Sequence, residues 1–192
     1  MNRTSVTGGT APAGDSWRTL QPALLEPCVA SWLGERGSLT RRLRSVCGRL
    51  ELVLLRQCCA RPLPDEAALL DLRQGERAWV REVLLLADDR PVLYAHSVAH
   101  PSSLRAGWRS LSNQGLRPVG DSIFERHGIR RGPIHVRRLR DGDRLHRAAG
   151  LALQARRLPA LWARRSPFVR AGHALWITEV FLPGLAALGT AS

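Results

Sequence analysis

Two interrupted apolar runs hold the residues best suited to chemistry. In AWVREVLLLA, Arg81 and Glu82 break a segment otherwise fit for a buried strand; in LWITEVFLP, Thr178 and Glu179 do the same. A charge buried without a partner is costly, so each run must either turn a polar face to water or bring its charge to a partner. For Arg81 and Glu82 the alternatives are a half-exposed strand or a guanidinium aimed at a ligand. For Glu179 they are a structural Arg–Glu pair across neighbouring strands or a carboxyl tuned for proton transfer, since desolvation raises a carboxyl and a nearby Arg lowers it. Arg56 interrupts a third run, Leu50 to Cys59. It reads either as a carboxylate partner or as half of an ion pair.

Composition limits what these groups can do. All 29 basic residues among the 192 are Arg, and the formal charge is +13. The missing Lys excludes Schiff-base, pyridoxal-phosphate and P-loop chemistry, each of which needs an amine. The clusters Arg41, Arg42 and Arg44, then Arg130 and Arg131, then Arg137, Arg138 and Arg140 lack interleaved aromatics and read as solvated faces, so no nucleic-acid partner is expected. Cys28, Cys47, Cys58 and Cys59 form no CxxC pair. His96 and His100 stand four apart in a strand that enters a Pro turn, so neither a metal nor a cofactor is expected. Cys58 and Cys59, on opposite faces of a strand, read as packing residues. With no apolar leader and no spanning run, a cytoplasmic protein follows.

The elements that must position these groups come next. Residues 1–21 have the Gly-, Thr- and Ser-rich composition of a mobile tail, and 22–188 read as one domain. Apolar residues from Pro22 to Leu33 recur at helical spacing, and Ser38 is a good N-cap for a second helix through Val46. Strands are expected at Leu50–Cys59, Ala78–Ala87, Val92–Ala99, Ile134–Leu139, Ala160–Val169 and Ala174–Leu182. The third joins the second through a loop, Asp88 to Pro91, longer than the tightest turns, and Ala171, Gly172 and His173 join the last two. Short helices are expected at Asp65–Leu72 and Pro101–Asn113, with a loop through Gly115, Pro118 and Gly120. Residues 141–157 are charged and helix-prone and read as an insertion or mobile connection. Hairpins dominate, which favours an antiparallel α+β fold.

Four blocks, SWLGERGSLTRRL, AWVREVLLLADDRPVLYAHSV, GLRPVGDSIF and LWARRSPFVRAGHALWITEVFLP, resemble in order and spacing those of the chorismate pyruvate-lyase family, which opens ubiquinone biosynthesis. The resemblance spans about residues 23–186. It implies a six-stranded antiparallel sheet flanked by helices, with helical hairpin flaps over a buried pocket and the 22–46 hairpin as one flap. It implies a cofactor-free, monomeric lyase that turns chorismate into 4-hydroxybenzoate and pyruvate. Arg81 then grips a substrate carboxylate, Glu179 acts as general acid or base, Val119 and Gly120 offer a backbone N–H from a loop, and Leu39 covers the ring where the family pattern suggests Met. The rival of the same fold is the ligand-sensing domain of GntR-type regulators. Such domains normally follow a winged-helix domain, for which the stretch before residue 22 is too short.

Overall fold

A computed structural model describes residues 16–111, 115, 117–124 and 127–188. Most of the expected tail, residues 1–15, lies outside them. In chain order the elements are β1 (Arg18–Thr19), α1 (Pro27–Leu33), α2 (Leu39–Val46), β2 (Leu50–Ala60), α3 (Pro64–Leu69), β3 (Ala78–Ala87), β4 (Arg90–Ala99), α4 (Pro101–Arg105), α5 (Val119–Phe124), β5 (Ile129–Arg131), β6 (His135–Leu139), α6 (Arg144–Ala152), β7 (Leu161–Arg170) and β8 (His173–Phe181). One antiparallel sheet runs β1-β6-β7-β8-β4-β3-β2, with β5 paired to the end of β7. It has eight strands where six were expected. The two extra ones are two and three residues long, too short to show an alternating pattern. Arg18 and Thr19, inside the span read as a tail, pair with Val136 and His135.

The first expected helix is interrupted. A 3-10 turn covers Pro22–Leu24, and α1 begins only at Pro27, which lacks the N–H needed to continue a helix through it. Ser38 caps α2 as expected, its Oγ accepting from the Arg41 N–H at 3.2 Å. Between β3 and β4, Ala87 pairs with Arg90, so the turn has two residues and is tighter than expected. Asp88 and Asp89 take φ of 48° and 65°, the left-handed values such a turn demands, and Asp tolerates them. Ala171 and Gly172 close the β7–β8 hairpin likewise, with φ of 48° and 79°.

Alternation along the strands gives the sheet two different faces. Arg81, Val83 and Leu85 of β3, Leu93, Ala95 and Ser97 of β4, and Ile177 and Glu179 of β8 face α2 and α5. Leu84, Tyr94 and Val180 face the other way, in a core shared with Leu145 and Ala149 of α6. Residues 141–157 are therefore no detached insertion. Leu145, His146 and Ala149 are buried, and His146 Nε2 lies 2.8 Å from the Pro159 carbonyl.

Candidate functional site

Arg81 is buried to 1 % exposure, which excludes the half-exposed reading of its strand. Its guanidinium donates to Gln57 Oε1 on β2 and to the carbonyls of Gly115 and Arg117, at 2.8 and 3.2 Å. Nε finds no partner among the described residues. Burial pushes this guanidinium below its ordinary range, as expected of a cation held by neutral acceptors only.

Glu179 faces the same side from β8. Its Oε2 accepts from Arg164 Nε at 2.6 Å, a residue directly opposite it on β7. The cross-strand Arg–Glu pair therefore exists, and it lies in the candidate site. Arg164, 1 % exposed, also donates Nη1 to the carbonyls of Leu33 and Glu35, at 3.2 and 2.7 Å. It thus ties the end of α1 to the Glu179 carboxylate. Arg131 of β5 adds a third guanidinium, donating Nε to Ser166 Oγ at 3.0 Å and Nη1 to the carbonyls of Glu35 and Arg36 at 3.1 and 3.0 Å.

Leu39, at the start of α2, and Val119 and Gly120, at the start of α5, cover these groups. Val119 and Gly120 begin a short helix instead of lying in a loop, so their N–H groups have no acceptor within it. A Cβ at Gly120 would meet Thr40 Oγ1 at 3.3 Å, where α5 crosses α2. Arg44 of α2 joins both oxygens of Asp121 on α5, at 3.0 and 2.8 Å. The result is a cavity of about 50 Å³ that gathers Leu39, Arg81, Val119, Gly120 and Glu179, the five residues to which the family resemblance gives roles, together with Arg131 and Arg164.

Comparison with known proteins decides the family. Residues 16–187 match the chorismate lyase family along almost the whole chain. A protein of Aromatoleum aromaticum described as "Probable chorismate pyruvate-lyase" is 43% identical over 185 residues, covering 93% of this chain and 98% of that one. Another of that description, from an Azoarcus species, is 42% identical over 92% of this chain and 95% of that one. The chain belongs to the chorismate lyase family. It is accordingly a carbon-oxygen lyase. Among solved structures, the PhnF C-terminal domain superposes with a TM-score of 0.56 at 15% identity, over 78% of this chain and 92% of that domain. A GntR-family regulator from Bacillus cereus superposes at 0.53 and 12%, over 74% and 96%. These likenesses concern the fold.

For a chorismate lyase, other expected groups fall outside the cavity. Arg56 does not reach it: it pairs with Glu82 at 2.7 Å, and Glu82 alternates with Arg81 and so faces the back of the sheet. The ion-pair alternative holds for Arg56. On that back face His96 lies between Glu82, 3.1 Å from Nδ1, and Glu66 of α3, 3.0 Å from Nε2. Burial alone would push the imidazole down, yet its hydrogen bonds to the two carboxylates outweigh this and hold it up at about 9. His100 caps α4 by accepting from the Ser102 N–H. Cys58 and Cys59 are both exposed and do not pack as expected, because β2 is the edge of the sheet.

Sequence reasoning missed Arg131 and Arg164. Arg131 was assigned to a solvated face, and nothing in its three-residue strand marks it otherwise. Arg164 could have been found. A two-residue turn at Ala171 and Gly172 fixes the register of the whole hairpin, and counting back from it places Arg164 opposite Glu179.

Proposed function

We propose that the protein converts chorismate to 4-hydroxybenzoate and pyruvate in this cavity, with Arg81 and Glu179 as its principal groups. The observation that carries the reading is convergence: residues from β3, β8, α2 and α5, each matched to a role in the family, line one space. Arg81 binds the ring carboxylate with its planar fork, which suits a bidentate contact. Val119 and Gly120 present backbone N–H groups to the same end, and Leu39 lies over the ring.

The reaction needs little machinery because its product is aromatic. The ring carbon bearing the hydroxyl loses its proton, a ring double bond forms to its neighbour, and the C–O bond from that neighbour to the enolpyruvyl group breaks. The electron pair leaves on the enolpyruvate oxygen. Enolpyruvate then gains a proton at its methylene carbon and becomes pyruvate. Glu179 acts as the general acid or base for this transfer, held in place by Arg164. Orientation and charge neutralisation by side chains suffice for the step, which calls on no cofactor.

The cavity is too small for the ring as it stands. An engineered apolar cavity that admits benzene measures about 150 Å³, three times the roughly 50 Å³ found here. Entry therefore requires the α1–α2 hairpin to lift as a flap, breaking the Arg44–Asp121 contact. We place the reaction at the first committed step of ubiquinone biosynthesis, in a cytoplasmic monomer. The test is to mix purified protein with chorismate and follow 4-hydroxybenzoate by absorbance, with Arg81→Ala and Glu179→Ala alongside. Turnover by the wild type that collapses in both variants is expected. Undiminished turnover in both would overturn the site. No turnover, with DNA binding that falls steeply with salt, would favour a nucleic-acid-binding protein instead.

A further inference from the structure

Three guanidiniums line the cavity, but Glu179 is its one carboxylate. Arg164 takes that carboxylate through Nε. The other two cations are held by neutral acceptors. Arg81 has the Gln57 amide oxygen and two carbonyls; Arg131 has the Ser166 hydroxyl and the carbonyls of Glu35 and Arg36. Among the described residues no carboxylate bonds either one. Burial, together with the charge of neighbouring Arg164, pushes the Arg131 guanidinium down to about 10 against the opposing pull of the Glu179 and Glu35 carboxylates. The cavity therefore gathers three guanidiniums around a single lining carboxylate, an excess of positive charge.

The strand register fixes how far apart they are. Arg81 pairs with Ser97, Ser97 with Ile177, and Ile177 with Ser166, so the four form one row straight across the sheet. Arg131 completes the row by bonding Ser166. Three strand spacings of about 4.8 Å put the Arg81 and Ser166 backbones roughly 14 Å apart, with β5, which carries Arg131, one strand beyond β7. Arg81 and the Arg131 guanidinium stand at the two ends of this row, with the apolar Ile177 between them, and Glu179 lies one pleat along the strand from Ile177. A ligand that satisfies both ends must be an apolar ring with two anionic groups pointing apart. Chorismate carries a ring carboxylate and an enolpyruvyl carboxylate in just that relation.

We infer that Arg131 is the binding residue for the enolpyruvyl carboxylate, at the opposite end of the row from Arg81. The inference rests on the chorismate reading of the cavity. Its consequence is selectivity by charge count: the dianionic substrate engages both arginines, whereas 4-hydroxybenzoate, with one carboxylate, engages only Arg81. Pyruvate carries the second carboxylate away, and Arg131 is again left with neutral acceptors.

The experiment compares Arg131→Gln and Arg131→Lys with the wild type on two measurements. The first is the KM for chorismate against the Kd for 4-hydroxybenzoate. In Arg131→Gln the KM should rise at least tenfold while the product Kd changes less than twofold, and Arg131→Lys, which keeps the charge without the fork, should recover part of the loss. Equal weakening of both ligands would reduce Arg131 to a prop for the α1–α2 turn and overturn the inference, as would no change in either. The second measurement uses inert probes, 3-(carboxymethoxy)benzoate as dianion and benzoate as monoanion, titrated by calorimetry. The wild type should prefer the dianion about tenfold, and Arg131→Gln should lose that preference; its retention would overturn the inference. Because the probes need no turnover, this arm still decides Arg131 if the wild type fails to cleave chorismate, a result that would count against the lyase reading alone.

Discussion

At the scale of residues, the roles proposed for Glu179 and Arg81 can be separated. Glu179→Gln keeps the shape and the bond from Arg164 but loses the base, so kcat should fall about 10²–10⁴-fold with little change in 4-hydroxybenzoate affinity. A parallel loss of affinity would show that the carboxylate binds more than it reacts. Arg81→Lys keeps a charge but gives up the planar fork and its three acceptors; kcat/KM should fall by about 10–100-fold, the cost of a charge-assisted hydrogen bond or two. His96 makes a different kind of prediction. Its folded value of about 9 stands above the ordinary 6.5, so the stabilisation it gives is complete below about pH 6.5 and is lost as pH rises through 9. Its partner Glu82 is opposite in sign: burial would raise it, but His96 and Arg56 outweigh burial and hold it low, so its contribution is lost only in acid. Thermal melting should show Tm falling between pH 7 and 10, and His96→Gln should flatten that slope. A wild-type Tm level across this range would mean that the imidazole is not held protonated.

Elements decide which residues meet. The apolar runs of β3, β4, β7 and β8 are legible in the sequence because their alternation and turn residues are strong signals, and the two interrupting acids stand out against them. Register adds what pattern omits: once Ala171 and Gly172 are seen as a two-residue turn, Arg164 must face Glu179. The short elements were illegible for a physical reason. Arg131 sits in a strand of three residues whose pairing depends on β7 already being in place, so no local periodicity announces it. The back face is harder to read: pattern alone leaves Arg56 open between a carboxylate ligand and an ion pair, and only the pleat of β3, which sends Glu82 to that side, decides for the pair. Arg164 is the element-scale fastener, joining β7, β8 and the end of α1. Arg164→Leu should cost about 3–5 kcal/mol, because it leaves Glu179 and the α1 carbonyls without their donor, and chemical denaturation reads this directly. The exposed Arg44–Asp121 bridge between α2 and α5 should contribute under about 1 kcal/mol to stability. If α2 is a flap, Arg44→Ala should nevertheless weaken 4-hydroxybenzoate binding several-fold by populating the open state. Unchanged affinity would argue that the hairpin does not gate the cavity.

Over the whole molecule, the charge of +13 divides between surface and site. Most of the described arginines lie on the outside or in ion pairs, while three converge on the cavity around one lining carboxylate, an excess of positive charge that the proposed dianionic substrate would meet. Absence of Lys was readable from composition and excluded chemistry that needs an amine. The α+β class and the single antiparallel sheet were equally legible, and regulators of the GntR type share that architecture, so the fold does not by itself distinguish turnover from sensing. Catalysis is the point at issue, and the most direct measurement is the stoichiometry of products. Protein dialysed against a chelator and incubated with chorismate should release 4-hydroxybenzoate and pyruvate in equal amounts, at the same rate as undialysed protein. Binding of chorismate without release of either product, or a rate that depends on restoring a metal, would contradict the account.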